Sequence, residues 1–260
     1  MTGPRFVTIA HDLRERIALG EYGQVPQLES ESELCTRYAV SRPTVRRALE
    51  LLRSEGLVAS RAGAGWFVVG ATFHQKLALG TFRHAPSAVH DAGMAIARTV
   101  IDFAFRRPPS AIAGLLGASA SDPTLSAQSV RTVDGEALDL VHEWVPAELS
   151  GAISRDDAAS PGIWTTLDRQ GHAVASVHQT VTAGLTTAAD AEILGSRAGI
   201  PLLLIRRVAR DATGKVLAVS DHRYLAHRFA LEVEFNSGPS ASTSDPPGLR
   251  AVPPLEEKIS

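Results

Sequence analysis

Apolar residues in the N-terminal part of the chain recur every three or four positions, which is the period of an amphipathic helix. The stripe from Phe6 to Ile17 predicts a first helix, with Gly20 as its stop signal. Ser30 and Glu33 have the spacing of a capping box, in which a serine hydroxyl and a glutamate cap each other's backbone. A second helix should therefore begin just after Ser30.

A third helix is expected directly after the break at Ala39-Val40, with Ser41 as its cap and Pro43 in its first turn. Its buried side should carry four apolar residues: Val45, Ala48, Leu49 and Leu52. Two short helices joined by a tight turn, the second rich in arginine, predict a helix-turn-helix.

The two extended runs after Gly56, Leu57-Val58 and Trp66 to Val69, flank a glycine-rich stretch from Arg61 to Gly65. This pattern predicts a hairpin wing, narrow enough to approach a DNA minor groove closely. The first domain is therefore expected to be a winged helix-turn-helix.

The pattern changes beyond residue 93, where strand-like runs outnumber helical ones and Asp134-Gly135 marks a hairpin turn. Strands are predicted at 97–105, 124–133, 137–145, 174–182, 201–210, 216–225 and 229–235, and helices at 108–117, 163–171 and 187–194. Such an order indicates an α+β domain built on an antiparallel sheet.

The chain is thus divided into four parts by its pattern and composition. We expect a DNA-binding domain at 5–70, a linker at 71–92, a second domain at 93–236 and a disordered tail at 237–260, where Ser, Pro and Gly dominate. The whole is an α+β protein of two domains.

Composition places this chain among globular proteins of the cytoplasm. It has 260 residues, 44% of them hydrophobic and 21% charged, and a single cysteine, Cys35. Neither a signal peptide nor an apolar run of membrane-spanning length is recognisable.

The net charge of −2 gives no general sign of nucleic-acid binding, but charge is distributed unevenly. Between Ser41 and Arg61 five arginines face only two glutamates. Candidate DNA contacts are Ser41, Arg42, Thr44, Arg46, Arg47, Arg61, Gly63 and Gly65. The alternatives are a solvated arginine-rich surface and a helix-turn-helix that contacts protein instead.

The run from Ser41 to Leu49, with Glu55 to Val58 and the glycine wing, resembles the DNA-binding domain of the GntR family of bacterial regulators. The resemblance implies DNA contacts from Arg42, Thr44 and Arg46 and a wing in the minor groove. Three residues depart from the family pattern: Glu29, Ser32 and Pro43. We therefore transfer the DNA-binding class and not an operator sequence.

The second domain contains a series of motifs in a fixed order: Arg131, Asp134-Gly135-Glu136, Trp144-Val145-Pro146, Gly199 to Leu203, Asp211 to Gly214, Ser220, Tyr224 and Arg228. Through these residues it resembles the UTRA domain of the HutC subfamily, whose fold is related to chorismate lyase. The resemblance implies a small-molecule effector site, for which we name Arg131, Ser220, Tyr224 and Arg228 as candidates.

Polar residues common in the family are replaced here by Ser129, Val141 and Ala218. We therefore expect an effector less charged than a sugar phosphate. If Arg131 serves the effector, alanine at this position should change only the effector response. The alternative is that Arg131 is exposed or pairs with an aspartate.

Three classes of function are candidates for this chain. The leading hypothesis is a homodimeric repressor that a small molecule releases from double-stranded operator DNA. A constitutive dimeric regulator without an effector is the second. An enzyme is the third, and no nucleophile elbow, phosphate loop or metal-ligand spacing supports it, so we expect neither metal nor cofactor.

Overall fold

The computed structural model describes residues 4–22, 25–69, 73–78, 96–119, 121–133 and 135–234. Asp134, most of the expected linker and the tail at 237–260 lie outside these ranges. Within them, no helix combines the length and the apolar character that crossing a membrane requires.

The N-terminal part forms three helices, α1 (Arg5–Ala18), α2 (Glu31–Tyr38) and α3 (Arg42–Ser54), followed by the hairpin of β1 (Val58–Arg61) and β2 (Gly65–Val68). Their apolar faces share one core. Its buried residues include Leu13 of α1, Leu34 of α2, Leu49 of α3 and Trp66 of β2. The predicted winged helix-turn-helix is confirmed.

The turn between α2 and α3 is built on Ala39, which has a left-handed backbone with φ of 50°. The predicted capping box is present before α2, where Ser30 accepts from Glu33 N and the Glu33 carboxylate accepts from Ser30 N. Ser41 occupies the N-cap position of α3 as expected, but its side chain makes no cap hydrogen bond.

The second domain contains a six-stranded antiparallel sheet in the order β4-β5-β6-β9-β8-β7. Its strands are β4 (Ile96–Arg106), β5 (Thr124–Val133), β6 (Glu136–Pro146), β7 (Ser176–Leu185), β8 (Pro201–Arg210) and β9 (Val216–Leu225). Its helices are α4 (Ser110–Leu116), α5 (Ala147–Ser150), α6 (Arg155–Ala159), α7 (Ile163–Arg169) and α8 (Ala188–Ile193).

Helices cover both faces of this sheet. On one face, Leu149 of α5, Ala158 of α6 and Leu167 of α7 pack with Leu125 and Ala218. On the other face, Ile112 and Leu116 of α4 pack on Trp144 and Val219. The helices α5 and α6 are additions to the elements that the pattern predicted.

One strand lies within the expected linker. Residues Phe73–Ala78 form β3, which pairs in parallel with β10 (Phe229–Glu234) along its whole length. Phe229 packs on Tyr224 of β9 and so connects this small sheet to the larger one. The segment after the wing is therefore joined to the second domain by main-chain hydrogen bonds, which an unstructured linker would not make.

Candidate nucleic-acid interface and effector site

The exposed side of α3 carries the predicted arginines. Val45, Ala48, Leu49 and Leu52 are all buried, and because a helix turns once in 3.6 residues, Arg42, Arg46 and Arg47 project to the opposite, exposed side. Thr44 is half-buried and Ser41 exposed. Ser41, Arg42 and Thr44 lie at the positively polarised N-terminus of α3, where binding of phosphate is favoured.

Arg46 is held by an acidic residue that the sequence analysis did not single out. Its Nε donates to both carboxylate oxygens of Glu31, at 3.0 Å and 2.9 Å. The same carboxylate accepts from Trp66 Nε1 at 3.5 Å. Glu31, at the start of α2, therefore contacts both α3 and β2 of the wing, while the Arg46 side chain stays 65% exposed.

Two further arginines lie over aromatic rings. The Arg47 guanidinium lies 4.2 Å from the centre of the Phe6 ring, and that of Arg61 lies 4.6 Å from the Phe67 ring. Such stacking orders an arginine while leaving its edge free to donate.

The wing is tightened by its glycines. Arg61 and Gly65 are directly opposed in the β1–β2 ladder, and Gly63 and Gly65 have φ of 74° and 99°. Glycine adopts those backbone angles without the strain that a Cβ atom would bring. The hairpin tip is therefore short, and both glycines are exposed.

Ser41 and Thr44 contact each other. Their hydroxyl oxygens are 3.0 Å apart, which explains why Ser41 does not cap the helix with its side chain. Pro43 carries no N–H and the Thr44 N–H donates to the Ser41 carbonyl at 3.0 Å, so the positive end of the helix dipole is what favours an oxyanion here.

Glu29, where the family pattern has proline, is the centre of an internal cluster. It accepts from Arg16 at 2.9 Å and from the Tyr22 hydroxyl at 2.8 Å, and it pairs with Arg37 at 3.1 Å. These bonds lower the pKa of the Glu29 carboxyl, although partial burial opposes them. This departure serves the fold of the domain, whereas Ser32 is simply exposed.

In the second domain, the candidate residue Arg131 is buried and paired. Its Nε and Nη2 donate to the two carboxylate oxygens of Asp139 at 2.7 Å and 2.6 Å, and Nη2 also donates to the Tyr224 hydroxyl at 2.7 Å. Arg131 is only 2% exposed and Asp139 fully buried. The structure thus realises the aspartate-paired alternative for Arg131.

A row of polar side chains surrounds this pair on one face of the sheet, as the strand registers place them. We call it the polar strip, and it consists of Arg98, Ser129, Arg131, Asp139, Glu143, Arg207, Ser220, His222 and Tyr224.

Residues of the polar strip form hydrogen bonds with one another. Arg98 Nη1 donates to Glu143 at 2.8 Å, and Ser220 Oγ lies 3.1 Å from His222 Nε2. Burial and the neighbouring Arg207 lower the pKa of His222 to about 3, so the ring is uncharged at neutral pH. The hydroxyl of Ser129 is buried and makes no hydrogen bond within the described part of the chain.

Three of the four named effector candidates, Arg131, Ser220 and Tyr224, are thus brought together. Arg228 lies apart and donates to Glu136 at 3.1 Å. Asp139, His222 and the Arg98–Glu143 pair were not predicted from the sequence. The alternation of Asp139, Val141 and Glu143 along β6 was the sequence signal that could have identified the acidic residues. A bulge between Arg131 and Thr132 shifts the strand register by one residue, so the sequence does not show which residue of β6 faces Arg131.

Comparisons with known proteins agree with this architecture. The sequence pattern described as bacterial regulatory proteins, gntR family, matches residues 6–68, and that of the UTRA domain matches residues 91–230. The chain is 25% identical over 215 residues to the HTH-type transcriptional repressor PhnF of Mycolicibacterium smegmatis, covering 83% of this chain and 86% of that protein. It is 26% identical over 230 residues to the repressor NagR of Bacillus subtilis, covering 88% and 93%.

The fold is also found in a solved structure. The crystal structure of PhnF from Mycobacterium smegmatis superposes with a TM-score of 0.60 at 22% identity, covering 88% of this chain and all of that one. The matches include both domains in the same order, and the proteins matched are transcriptional regulators rather than enzymes. The chain therefore belongs to the GntR family of bacterial regulatory proteins, in the HutC branch whose second domain is a UTRA domain.

Proposed function

We propose that this protein is a cytoplasmic repressor that binds a two-fold related operator as a homodimer and leaves it when a small molecule binds the UTRA domain. The observation that carries the DNA-binding part is the exposed arginine surface of α3 beside the glycine wing, linked to it through Glu31. The relatives that are named as repressors support repression rather than activation.

Each part of this surface has a distinct role in binding. Arg42, Arg46 and Arg47 enter the major groove, where an arginine fork reads guanine or grips phosphate. Ser41, Thr44 and the positive end of the α3 dipole hold a phosphate. Arg61, Gly63 and Gly65 let the wing approach the minor groove.

Binding to DNA is tested by fluorescence anisotropy with labelled DNA from upstream of the gene and a scrambled duplex of equal length. We expect specific binding that weakens as salt rises, because each neutralised phosphate contributes about −0.9 to the slope of log K against log salt. Equal affinity for both duplexes at every salt concentration would contradict sequence-specific recognition. No binding at low salt would contradict the function itself.

The effector site is the polar strip, and the charges there favour an occupant without net charge. Arg131 is neutralised by Asp139 and Arg98 by Glu143, while Arg207 on the same face donates to Gln179 Oε1 at 2.8 Å. An anion that drew Arg131 away would leave a buried carboxylate uncompensated, at a cost of roughly 3–5 kcal/mol. The unpartnered Ser129 hydroxyl and the neutral His222 ring offer hydrogen bonds to an uncharged polar molecule.

Thermal unfolding in the presence of paired probes tests this site. Neutral sugars and polyols are each compared with their phosphate esters, for example glucose with glucose 6-phosphate. A neutral binder present at 100 times its Kd should stabilise the protein by about 2.7 kcal/mol, and it should also lower DNA affinity. Stabilisation by the phosphate esters alone would contradict the proposed ligand class. If no probe had an effect and repression were constitutive, the second domain would serve dimerisation only.

A further inference from the structure

A cleft of about 170 Å³ lies between the two domains, and none of the polar strip residues lines it. On the first domain its wall includes a stripe of α1 outside the buried face of that helix: His11, Arg14, Glu15 and Ala18. On the second domain its wall is the start of β8 and the turn after β9, where Ala226 N donates to Pro201 O at 3.1 Å. An occupant of the cleft therefore contacts both domains at once.

The ionised groups that line the cleft already have partners. Arg14 Nε and Nη2 donate to the Glu55 carboxylate at 3.0 Å and 2.8 Å. Glu15 lies 3.4 Å from His11 at the open rim, where both side chains are more than half exposed to water. The cleft thus offers an ion no unpaired charge in exchange for its water. An uncharged occupant is favoured, because an ion pays a far larger cost for leaving water.

One polar side chain of the cleft is uncommitted. The His227 ring is half-buried and makes no hydrogen bond within the described part of the chain. Burial and the neighbouring Arg228 lower the pKa of this ring to about 4, so it is neutral at pH 7. A neutral imidazole has one nitrogen that donates and one that accepts, and polar groups removed from water are normally hydrogen-bonded. His227 is therefore the group that a ligand in this cleft would satisfy.

We propose that the cleft is a second small-molecule site, separate from the polar strip, for a flat uncharged heteroaromatic molecule whose ring N–H donates to His227. Leu57, Ile200 and Ala226 supply apolar surface for the faces of the ring. An apolar cavity of ~150 Å³ holds benzene, so this cleft, which is open on one side, has room for a bicyclic ring of the size of indole. Such sites combine apolar walls with a few polar groups that fix orientation.

Filling the cleft tests its location, with indole as the probe and the full-length protein in isothermal titration calorimetry. We expect a Kd on the order of 0.1 mM, as a ligand this small allows. Ala18→Phe places a ring in the cleft and should weaken indole binding at least ~10-fold. Leu19→Phe is the matched control, because Leu19 is 80% exposed and outside the cleft, and it should bind indole like the wild type. Wild-type affinity in A18F would overturn the proposal.

The hydrogen bond to His227 is tested with indene, which has the shape of indole but no N–H. The wild type should bind indole about 10-fold more tightly than indene. His227→Phe keeps a ring at this position and should bind the two probes equally. Retained indene binding shows that the cleft of this variant is intact. Equal affinity of the wild type for both probes would overturn the assignment of His227.

Failure of this site is distinguishable from failure of the proposed function. Operator binding by A18F without indole should equal that of the wild type, because Ala18 lies on α1, away from the DNA-binding surface of α3 and the wing. If the wild type binds its operator but no indole up to the solubility limit, the second site is wrong and the repressor stands. If indole binds as described and no operator is bound, the site stands and the proposed function is wrong.

Discussion

At the scale of single residues, the main feature of the second domain is the buried ion pair between Arg131 and Asp139. Arg131 and Asp139 are removed from water, and the pair is stable because the guanidinium fork meets both carboxylate oxygens and the Tyr224 hydroxyl completes the arrangement. The pKa of the Asp139 carboxyl is lowered by Arg131 and His222 despite complete burial. The identity of Arg131 as an important residue follows from its sequence motif, but its partner does not.

Alanine at Arg131 is therefore expected to unfold the second domain more readily, rather than to alter the effector response alone. The substitution leaves Asp139 buried without a cation, and the free energy of unfolding in urea should fall by roughly 3–5 kcal/mol. The double variant R131M/D139L removes both charges and should recover most of that loss. If R131A kept wild-type stability, the pair would not hold the fold together as described.

At the scale of elements, the turn between α2 and α3 shows what a pattern can and cannot predict. Helix periodicity and the capping box located both helices, because these signals are local. The left-handed conformation of Ala39 is set by the packing of the two helices, since glycine or asparagine would be the usual choice at that position. Alanine there carries strain that the core offsets.

Ala39→Gly should thus stabilise the first domain by about 1 kcal/mol, because glycine adopts positive φ without the Cβ penalty. Gly56 allows the opposite substitution, because it has φ of 77° and open space where a Cβ atom would lie. Gly56→Ala should destabilise by a similar amount. Chemical denaturation of both variants gives the two values, and a loss of stability in A39G would show that the turn is not strained.

The same element carries the sharpest prediction for DNA binding. Arg46→Ala should weaken operator binding by about 1–3 kcal/mol if the arginine reads a base, while the melting temperature stays nearly constant because exposed ion pairs contribute little. Arg53 on the last turn of α3 is paired with Glu50 and is similarly exposed, so R53A is the matched control. Equal loss of affinity in both variants would indicate general electrostatic attraction.

For the molecule as a whole, the order of domains was predictable and the connection between them was not. Each domain can be recognised in the sequence from its local hydrophobic periodicity and its hairpin signals. The parallel pairing of β3 with β10 joins residues more than 150 positions apart (Phe73 with Phe229), and no local signal marks such a contact. The partner of each polar strip residue was hidden for the same reason, since it depends on register across several strands.

Acid should destabilise the second domain over a defined pH range, since burial lowers the pKa of His222 to about 3 and those of His142 and His227 to about 4. Unfolded histidine titrates near 6.5, so below about pH 6.5 the unfolded chain binds protons that the folded one refuses. The stability that the neutral rings contribute to the folded protein is complete above that pH. It is lost as the pH falls toward the pKa values of these histidines in the folded protein.

For His222 alone, this loss amounts to at most ~1.4 kcal/mol per pH unit. Urea denaturation at pH 7.5, 6.5 and 5.5 measures the combined slope, and His222→Asn should reduce it even if the variant is less stable at pH 7.5. His11→Asn is the control substitution, because that ring is 65% exposed on α1. A free energy of unfolding that stayed flat between pH 7.5 and 5.5 would mean that these rings accept protons in the folded protein. The polar strip would then bear a positive charge at mildly acidic pH, and the argument for an uncharged effector would no longer apply there.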